Sequence, residues 1–395
     1  KRPKYRRYDD VALERIRIHR ETVEKAHPII FNASGNDTPG RGRYMHKRSE
    51  IHGGRSTSVG AIGTYFAAYF KGHRTNKIIA PYSNPANVCA LLPPTLSDKP
   101  GVYKQLEGTS FSTPLLAGLY RQFSEWYGDE LSFEEIMAAG FMSADRDILD
   151  YAYPALVDMM SKRAIPFDIR AFKMKNVEFS VNAAGMPISE RCGVGMINQE
   201  KWNETLKEMV ALKKAHGKDT TYFTKHIDLG DAAEIHIGDT GSDAEYVYHV
   251  KVPRDMTLDK LTFYLGQPFD KKSNDVTVTS PGGYTTKLPI GITETVTSVA
   301  FAYEDVKAGD ILEIRSNNPL AINSGVMIRG FEDDNVVQKL RSSLQKKGVL
   351  KAPLTAFTSD RKIPKPGEIP ANESIDGFNP QFMRPQILPK IIVPK

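Results

Sequence analysis

The chain has little cysteine: Cys89 and Cys192 are the only two in 395 residues. Two are too few for a disulfide scaffold or a cysteine-built zinc cluster. Each is expected to be a small buried side chain ahead of a partner in a bridge, and whether they pair stays open. Long apolar runs are also absent. The stretches break within about ten residues, far short of the roughly 20 that a membrane helix needs, so no membrane partner is expected. The opening "KRPKYRRYDD" is basic but no apolar core follows it, so no export signal is expected in the chain as given. Compartment is left open, with a secreted or virion-associated protein favoured over a membrane one. Charge of one sign is not concentrated either. Lys and Arg number 53 and Asp and Glu 47, for a net charge of +6, and they are spread along the chain. Without an aromatic-interleaved basic repeat, a nucleic-acid partner is not expected.

What is present divides the chain in three. Residues 1–220 alternate helical and short apolar patterns, the signature of an α/β layer with parallel strands. "YDDVALERIRIHRETVEKAH" predicts a helix over 8–27, with Val11, Leu13, Ile16, Ile18 and Val23 in helical rhythm, and "PIIFNASGND" a buried strand running into a turn. "STSVGAIG" and "KIIAPYSNPANVCALLPP" supply further strands. "LLAGLYRQFSEWYG" and "LSFEEIMAAGFMSA" supply helices, the second opened by a capping box of Ser132 and Glu135. Residues from about 145 to 190 read as an insertion, and "RCGVGMINQEKWNETLKEMVALKKAHG" as a Gly-rich turn and a closing helix.

From 221 to 332 the texture changes to short alternating strands: "AEIHIGD", "AEYVYHVKVP", "LDKLTFYLG", "NDVTVTSPGG", "TSVAFAYED", "DILEIRS" and "SGVMIRGF". Strands of this spacing predict an all-β sandwich. Residues 333–395 read as one exposed helix and then an extended arm, because eight of the 25 prolines fall in the last 45 residues. Phe378, Phe382, Met383, Ile387, Leu388 and Ile391 to Val393 are costly to leave in water, so residues 350–395 are expected to lie on the chain's own body or on a larger assembly.

The chemistry centres on "LEGTSFSTPLLAGL", residues 106–119. Ser110 stands where a helix begins, which makes it either a cap or a nucleophile. Its neighbours Gly108, Thr109, Phe111, Ser112, Thr113 and Pro114 resemble the nucleophile motif of subtilisin-like serine peptidases. Upstream, "IIFNASGND" resembles that family's oxyanion strand and turn. "STSVGAIG" and "APYSNPANVCALLPP" resemble segments lying between, and "CGVGMINQEKWNETL" its closing turn and helix. The resemblance runs in order from residue 8 to about 215. It implies a subtilisin-like parallel sheet, with Ser110 as nucleophile and Asn36 as side-chain donor of the oxyanion hole. Ala33, Ser34 and Gly35 would form a wall of the substrate pocket, and a protein or peptide would be the substrate. Residues 222–331, above all "NDVTVTSPGGYTTKLP", more loosely resemble the P-domain jelly roll of kexin- and furin-like subtilases, with a carbohydrate- or partner-binding sandwich as the rival.

In that family the triad aspartate and histidine precede the oxyanion strand, and here the first helix already resembles the one before that strand. The expected completion is a separate or cleaved N-terminal fragment that stays bound and carries Asp and His. The local histidines His19, His27, His46, His52 and His73 are weak substitutes, and Asp37 reads as a turn residue. The alternative is a catalytically inactive structural subunit of a larger, virion-like assembly, attached by its Pro-rich arm. No cofactor is required. Asp239, Asp243 and Asp275 could attend a calcium ion, although turn aspartates are commoner.

Overall fold

The computed structural model describes residues 29–36, 56–63, 77–80, 82–92, 108–151, 174–189, 191–216, 221–229, 233–237, 246–264, 275–289, 296–316, 325–332 and 335–352. The expected helix over 8–27, the five local histidines, Asp37, Asp239, Asp243 and the Pro-rich arm lie outside them.

The first half is a mixed sheet with helices. β1 (Ile30–Ala33), β2 (Ser56–Gly63) and β4 (Val88–Leu91) run parallel, with β2 between its two neighbours. β3 (Ile78–Ile79) lies antiparallel to the end of β2 and parallel to β5 (Leu149–Tyr151), which pairs antiparallel with β6 (Met174–Asn176). Parallel pairing is therefore present at β1, β2, β4 and between β3 and β5, and not throughout the sheet. Within the expected insertion, β5 and β6 extend this sheet, while β7 (Ser180–Val181) and β8 (Pro187–Ile188) form a separate ladder.

α1 (Thr109–Tyr127) lies across β1, β2 and β4. It buries Thr109, Ser112, Leu116, Tyr120 and Phe123, a stripe at three- and four-residue spacing. α2 (Phe133–Met142) opens on the expected capping box: Ser132 Oγ accepts the Glu135 N–H and the Glu135 carboxylate accepts the Ser132 N–H. Pairing both orphan groups at once fixes where α2 begins. α3 (Gln199–His216) sends the fully buried Trp202 between α1 and α2.

Alternation along β4 divides the core. Val88 and Ala90 join the helix-side cluster, while Cys89 faces the other way with Ile62, Ile79, Ile148 and Val177. There Cys89 is disulfide-bonded to Cys192, and both are fully buried. The expectation of unpaired small side chains is thus corrected. The Gly-rich turn after Arg191 folds back onto β4, with hydrogen bonds from Cys89 N to Gly195 O and from Ile197 N to Cys89 O, and this brings together residues 103 apart in sequence.

Beside this cluster Asp145 accepts hydrogen bonds from Lys77, Lys201 and Asn198. Burial works to raise its pKa, but the bonds from Lys201, Lys77 and Asn198 outweigh it and bring the carboxyl to about 2. A carboxyl lowered in the folded state adds stability that is complete above its unfolded value and is lost as pH falls through the folded one. Asp145→Asn should therefore destabilise the protein at neutral pH, and the gap to wild type should close between about pH 4 and pH 2, as read from urea midpoints across that range.

The second half is antiparallel throughout. β9 (Thr221–Asp228), β10 (Ala233–Ile237), β11 (Tyr246–Lys251), β12 (Met256–Tyr264), β13 (Asp275–Thr279), β14 (Thr285–Pro289), β15 (Val296–Val306), β16 (Ile311–Ser316) and β17 (Gly325–Glu332) follow one another. They form a five-stranded sheet in the order β10-β11-β16-β13-β14 and a four-stranded sheet in the order β15-β12-β17-β9. One apolar cluster takes Tyr248, Val250, Val276, Val278, Leu312 and Ile314 from the first sheet. From the second it takes Ile227, Leu258, Leu261, Phe263, Val326 and Ile328. The alternation legible in the sequence becomes two inner faces sharing a core.

α4 (Asn335–Lys346) corrects the expectation of an exposed helix. Val336, Val337, Leu340 and Leu344 are buried in the same cluster as α1, α2 and α3. Their spacing gives α4 one apolar face, and its charged residues read as exposure because they occupy the other. Tyr303, at φ 67°, and Phe331 also enter this helical cluster, so the four-stranded sheet is joined to the helices through apolar packing. Lys260 Nζ adds a bond of 3.2 Å to Asn87 Oδ1, at the start of β4. No described helix is long and apolar enough to cross a membrane.

Candidate functional site

The mouth of α1 is built around a glycine. Gly108 is the N-cap and lies at φ 131°, a conformation that only glycine adopts readily. Having no side chain, it cannot cap the helix itself. The four orphan N–H groups of a helix start must then find partners elsewhere. The Gly108 N–H donates to Tyr82 Oη at 2.7 Å, and the Thr109 N–H to Asn36 Oδ1 at 2.9 Å. The Phe111 N–H turns back to Gly108 O at 3.0 Å. The group left over among the described residues is the N–H of Ser110. Ser110 is not the cap; it occupies the second helical position, and its side chain is exposed.

Asn36 is oriented by the same contacts. Its Oδ1 accepts from both Thr109 N and Thr109 Oγ1, the latter at 3.1 Å. With the oxygen held, the amide must turn its Nδ2 donor away from Thr109, and no described residue accepts from it. A Cβ on Gly108 would stand 3.4 Å from that Nδ2, so the donor borders the turn that leads into Ser110. Two unfilled donors, one amide side chain and one helix N-terminal N–H, therefore flank the Ser110 turn. The helix N-terminus adds positive potential to both.

Ala33, Ser34 and Gly35 form the turn leading from β1 to Asn36. Ala33 is half-buried. Ser34 is fully buried, donating its N–H to Val59 O and its hydroxyl to Asn84 O, each at 3.0 Å. The Gly35 N–H reaches Thr109 Oγ1 at 3.1 Å, and Gly35 O accepts the Asn84 N–H at 3.1 Å. The five residues singled out in the sequence, separated by more than 70 positions, thus meet at one place: Asn36 and its turn touch Thr109 directly, and Ser110 is the next residue.

Sequence reasoning missed three parts of the site. Thr109 is fully buried and bridges Gly35 to Asn36; its position within Gly-Thr-Ser was the available signal. Tyr82 and the Arg191–Asp150 pair, with Nε to Oδ2 at 2.8 Å, had no local signal, because their roles arise from loops brought together by the sheet. No described histidine or carboxylate is hydrogen-bonded to Ser110. Asp275 opens β13 in the antiparallel half, and no three His, Cys, Asp or Glu residues converge as a metal site among the described residues.

Comparison with known proteins adds little to this geometry. No family model and no curated protein matches the chain. Solved structures give short likenesses. A GH26-CBM35 β-(1,4)-mannanase from Podospora anserina is 14% identical over 28% of this chain and 29% of that one, with a TM-score of 0.19. A ruminal GH26 endo-β-1,4-mannanase is 18% identical over 32% of this chain and 33% of its own, with a TM-score of 0.17. A cupin protein from Desulfovibrio desulfuricans is 6% identical over 25% of this chain and 83% of its own, with a TM-score of 0.12. The chain spans about a third or less of the two mannanases. Scores this low carry nothing about fold or chemistry to this chain.

Proposed function

We propose that this chain is the nucleophile-bearing part of a subtilisin-like serine endopeptidase, with the triad His and Asp supplied by a polypeptide outside these 395 residues. The observation that carries the reading is the pair of donors at the mouth of α1: the Ser110 N–H, left over when the other orphan groups are satisfied, and Asn36 Nδ2, aimed outward by the hold on its oxygen.

The chemistry follows from those two donors. Ser110 Oγ attacks a peptide carbonyl while a base takes its proton, and the carbonyl oxygen gains negative charge as the tetrahedral intermediate forms. Fixed donors aimed at that oxygen stabilise the charged state more than the neutral carbonyl, which is how they accelerate the step. Collapse of the intermediate expels the amine, which receives the proton from the base, and leaves an acyl group on Ser110 for water to remove. The Ala33–Ser34–Gly35 turn, tied to both Thr109 and Asn84, serves as a firm wall for the residue before the scissile bond. The nine antiparallel strands are read as a P-domain-like jelly roll. Its role would be to brace the helical layer through Tyr303, Phe331 and the bond from Lys260 to Asn87.

The test is composition together with activity. Native material should contain a second polypeptide of about 100–150 residues bearing an Asp and a His-Gly motif, a size set by what a domain of ordinary length still requires. The assembly should hydrolyse an unstructured protein substrate, and Ser110→Ala should remove that hydrolysis. Native material that holds this chain alone, folded and inert, would favour the structural-subunit alternative.

A further inference from the structure

The groups that hold the Ser110 turn and the Asn36 turn come from one short loop. Tyr82 Oη accepts the Gly108 N–H. Two residues on, Asn84 donates its N–H to Gly35 O and accepts the Ser34 hydroxyl on its own carbonyl. The loop therefore grips both donor-bearing turns at once, and its rigidity sets the spacing between the Ser110 N–H and Asn36 Nδ2.

Buried bonds hold the loop in turn. Ser83 N donates to Ala80 O at 2.8 Å, and Ser83 Oγ accepts the Ala61 N–H from β2 at 3.0 Å. Ser83 O accepts from Arg191 Nη1 at 3.0 Å, while the same guanidinium is paired with Asp150. Sheet, loop and ion pair thus anchor the backbone next to Tyr82.

We propose that Tyr82 is a positioning residue for the nucleophile turn: its phenol oxygen holds Gly108 in the φ 131° conformation that leaves the Ser110 N–H open to substrate. The assignment rests on the reading of Ser110 as nucleophile. Removing the oxygen leaves the Gly108 N–H without its acceptor. The turn can then relax toward other partners, moving the Ser110 N–H from its place beside the Asn36 turn.

The experiment uses the protein in its native assembly, so that any completing polypeptide is present, and a peptidyl fluorophosphonate as the probe. For Tyr82→Phe the maximal inactivation rate should fall about two- to tenfold, the range expected for one lost hydrogen bond. The half-saturating probe concentration should stay at its wild-type value, while the unfolding midpoint falls by no more than the loss of one hydrogen bond produces. Arg121→Ala, which removes an exposed pair with Glu125 on the outer face of α1, should change none of the three. If Tyr82→Phe does not fold, 3-fluorotyrosine at position 82, a poorer acceptor of nearly unchanged shape, should lower the same rate by a smaller factor. An unchanged inactivation rate overturns the assignment, as does a rise in half-saturating concentration that accompanies the slower rate. Failure of the wild-type assembly to react with the probe is a separate result: it removes the nucleophile reading, and the role of Tyr82 with it.

Discussion

On the proposed function, Asn36→Leu should lower turnover by about 100- to 1,000-fold while changing substrate binding little, the loss known for the asparagine donor of subtilisin itself. Leucine is close to asparagine in size but has no amide, so the substitution removes two things. The Nδ2 donor that the proposed function assigns to the reacting oxygen disappears, and so does the acceptor that Thr109 uses through both its N–H and its hydroxyl. The first loss acts on the transition state, because charge on the carbonyl oxygen is largest there. The second loosens the mouth of α1. Asn36→Asp separates the two effects. An aspartate keeps an acceptor for Thr109 but replaces the donor with negative charge, so it should fold at least as well as Asn36→Leu and turn over no faster. Measured kcat and KM on one peptide, with unfolding midpoints for both variants, check this pair of expectations. A variant in which KM alone rises would mean that Asn36 binds substrate without acting on the developing charge.

Trp202→Ala destabilises the chain by about 3–5 kcal/mol, a large part of the stability of an ordinary domain. The Trp202 ring is fully buried, meets Phe123 of α1 edge-on at 4.8 Å and donates Nε1–H to Ile136 O of α2 at 2.7 Å. It also lies against Gly140, where a Cβ would come within 2.6 Å of the ring, so α2 and α3 approach closely only because that position has no side chain. Removing the indole empties the junction of three helices and takes away the second hydrogen bond to the Ile136 carbonyl. Trp202→Phe should recover much of the packing but not the bond, and fall between the two. Urea unfolding followed by fluorescence measures both, since Trp126, the other of the chain's two tryptophans, is 55% exposed and reports separately. A Trp202→Ala midpoint equal to wild type would show that the three helices do not depend on this contact.

How much of this was legible depended on whether the signal was local. Seven of the nine strands described in the second half could be read one by one, because their alternation is written within five to eleven residues and bounded by Gly, Pro, Asp or Asn, whereas β9 and β14 were not read as strands of their own. The capping box at Ser132 was legible for the same reason: both of its partners lie within three positions. The start of α1 at Thr109 was less so, because no side chain of the N-cap marks it; the caps come from Asn36 and Tyr82, 73 and 26 positions away. The burial of α4 and the Cys89–Cys192 bond were not legible on similar grounds. An amphipathic helix with many charges looks exposed until the cluster beneath it is known, and a pair of cysteines 103 positions apart carries no mark of the fold that brings them together. Motif order brought Ser110 and Asn36 to attention as one site, but only the fold shows which N–H of the helix start is left over.

The measurement that tests the account most directly is the mapping of a fluorophosphonate adduct on the native assembly by peptide mass analysis. The account predicts one modified residue, Ser110, within the tryptic peptide that contains "LEGTSFSTPLLAGL", with no adduct in Ser110→Ala and a strongly slowed adduct in Asn36→Leu. An assembly that contains a His- and Asp-bearing companion yet carries the adduct on another serine, or carries none, would contradict it.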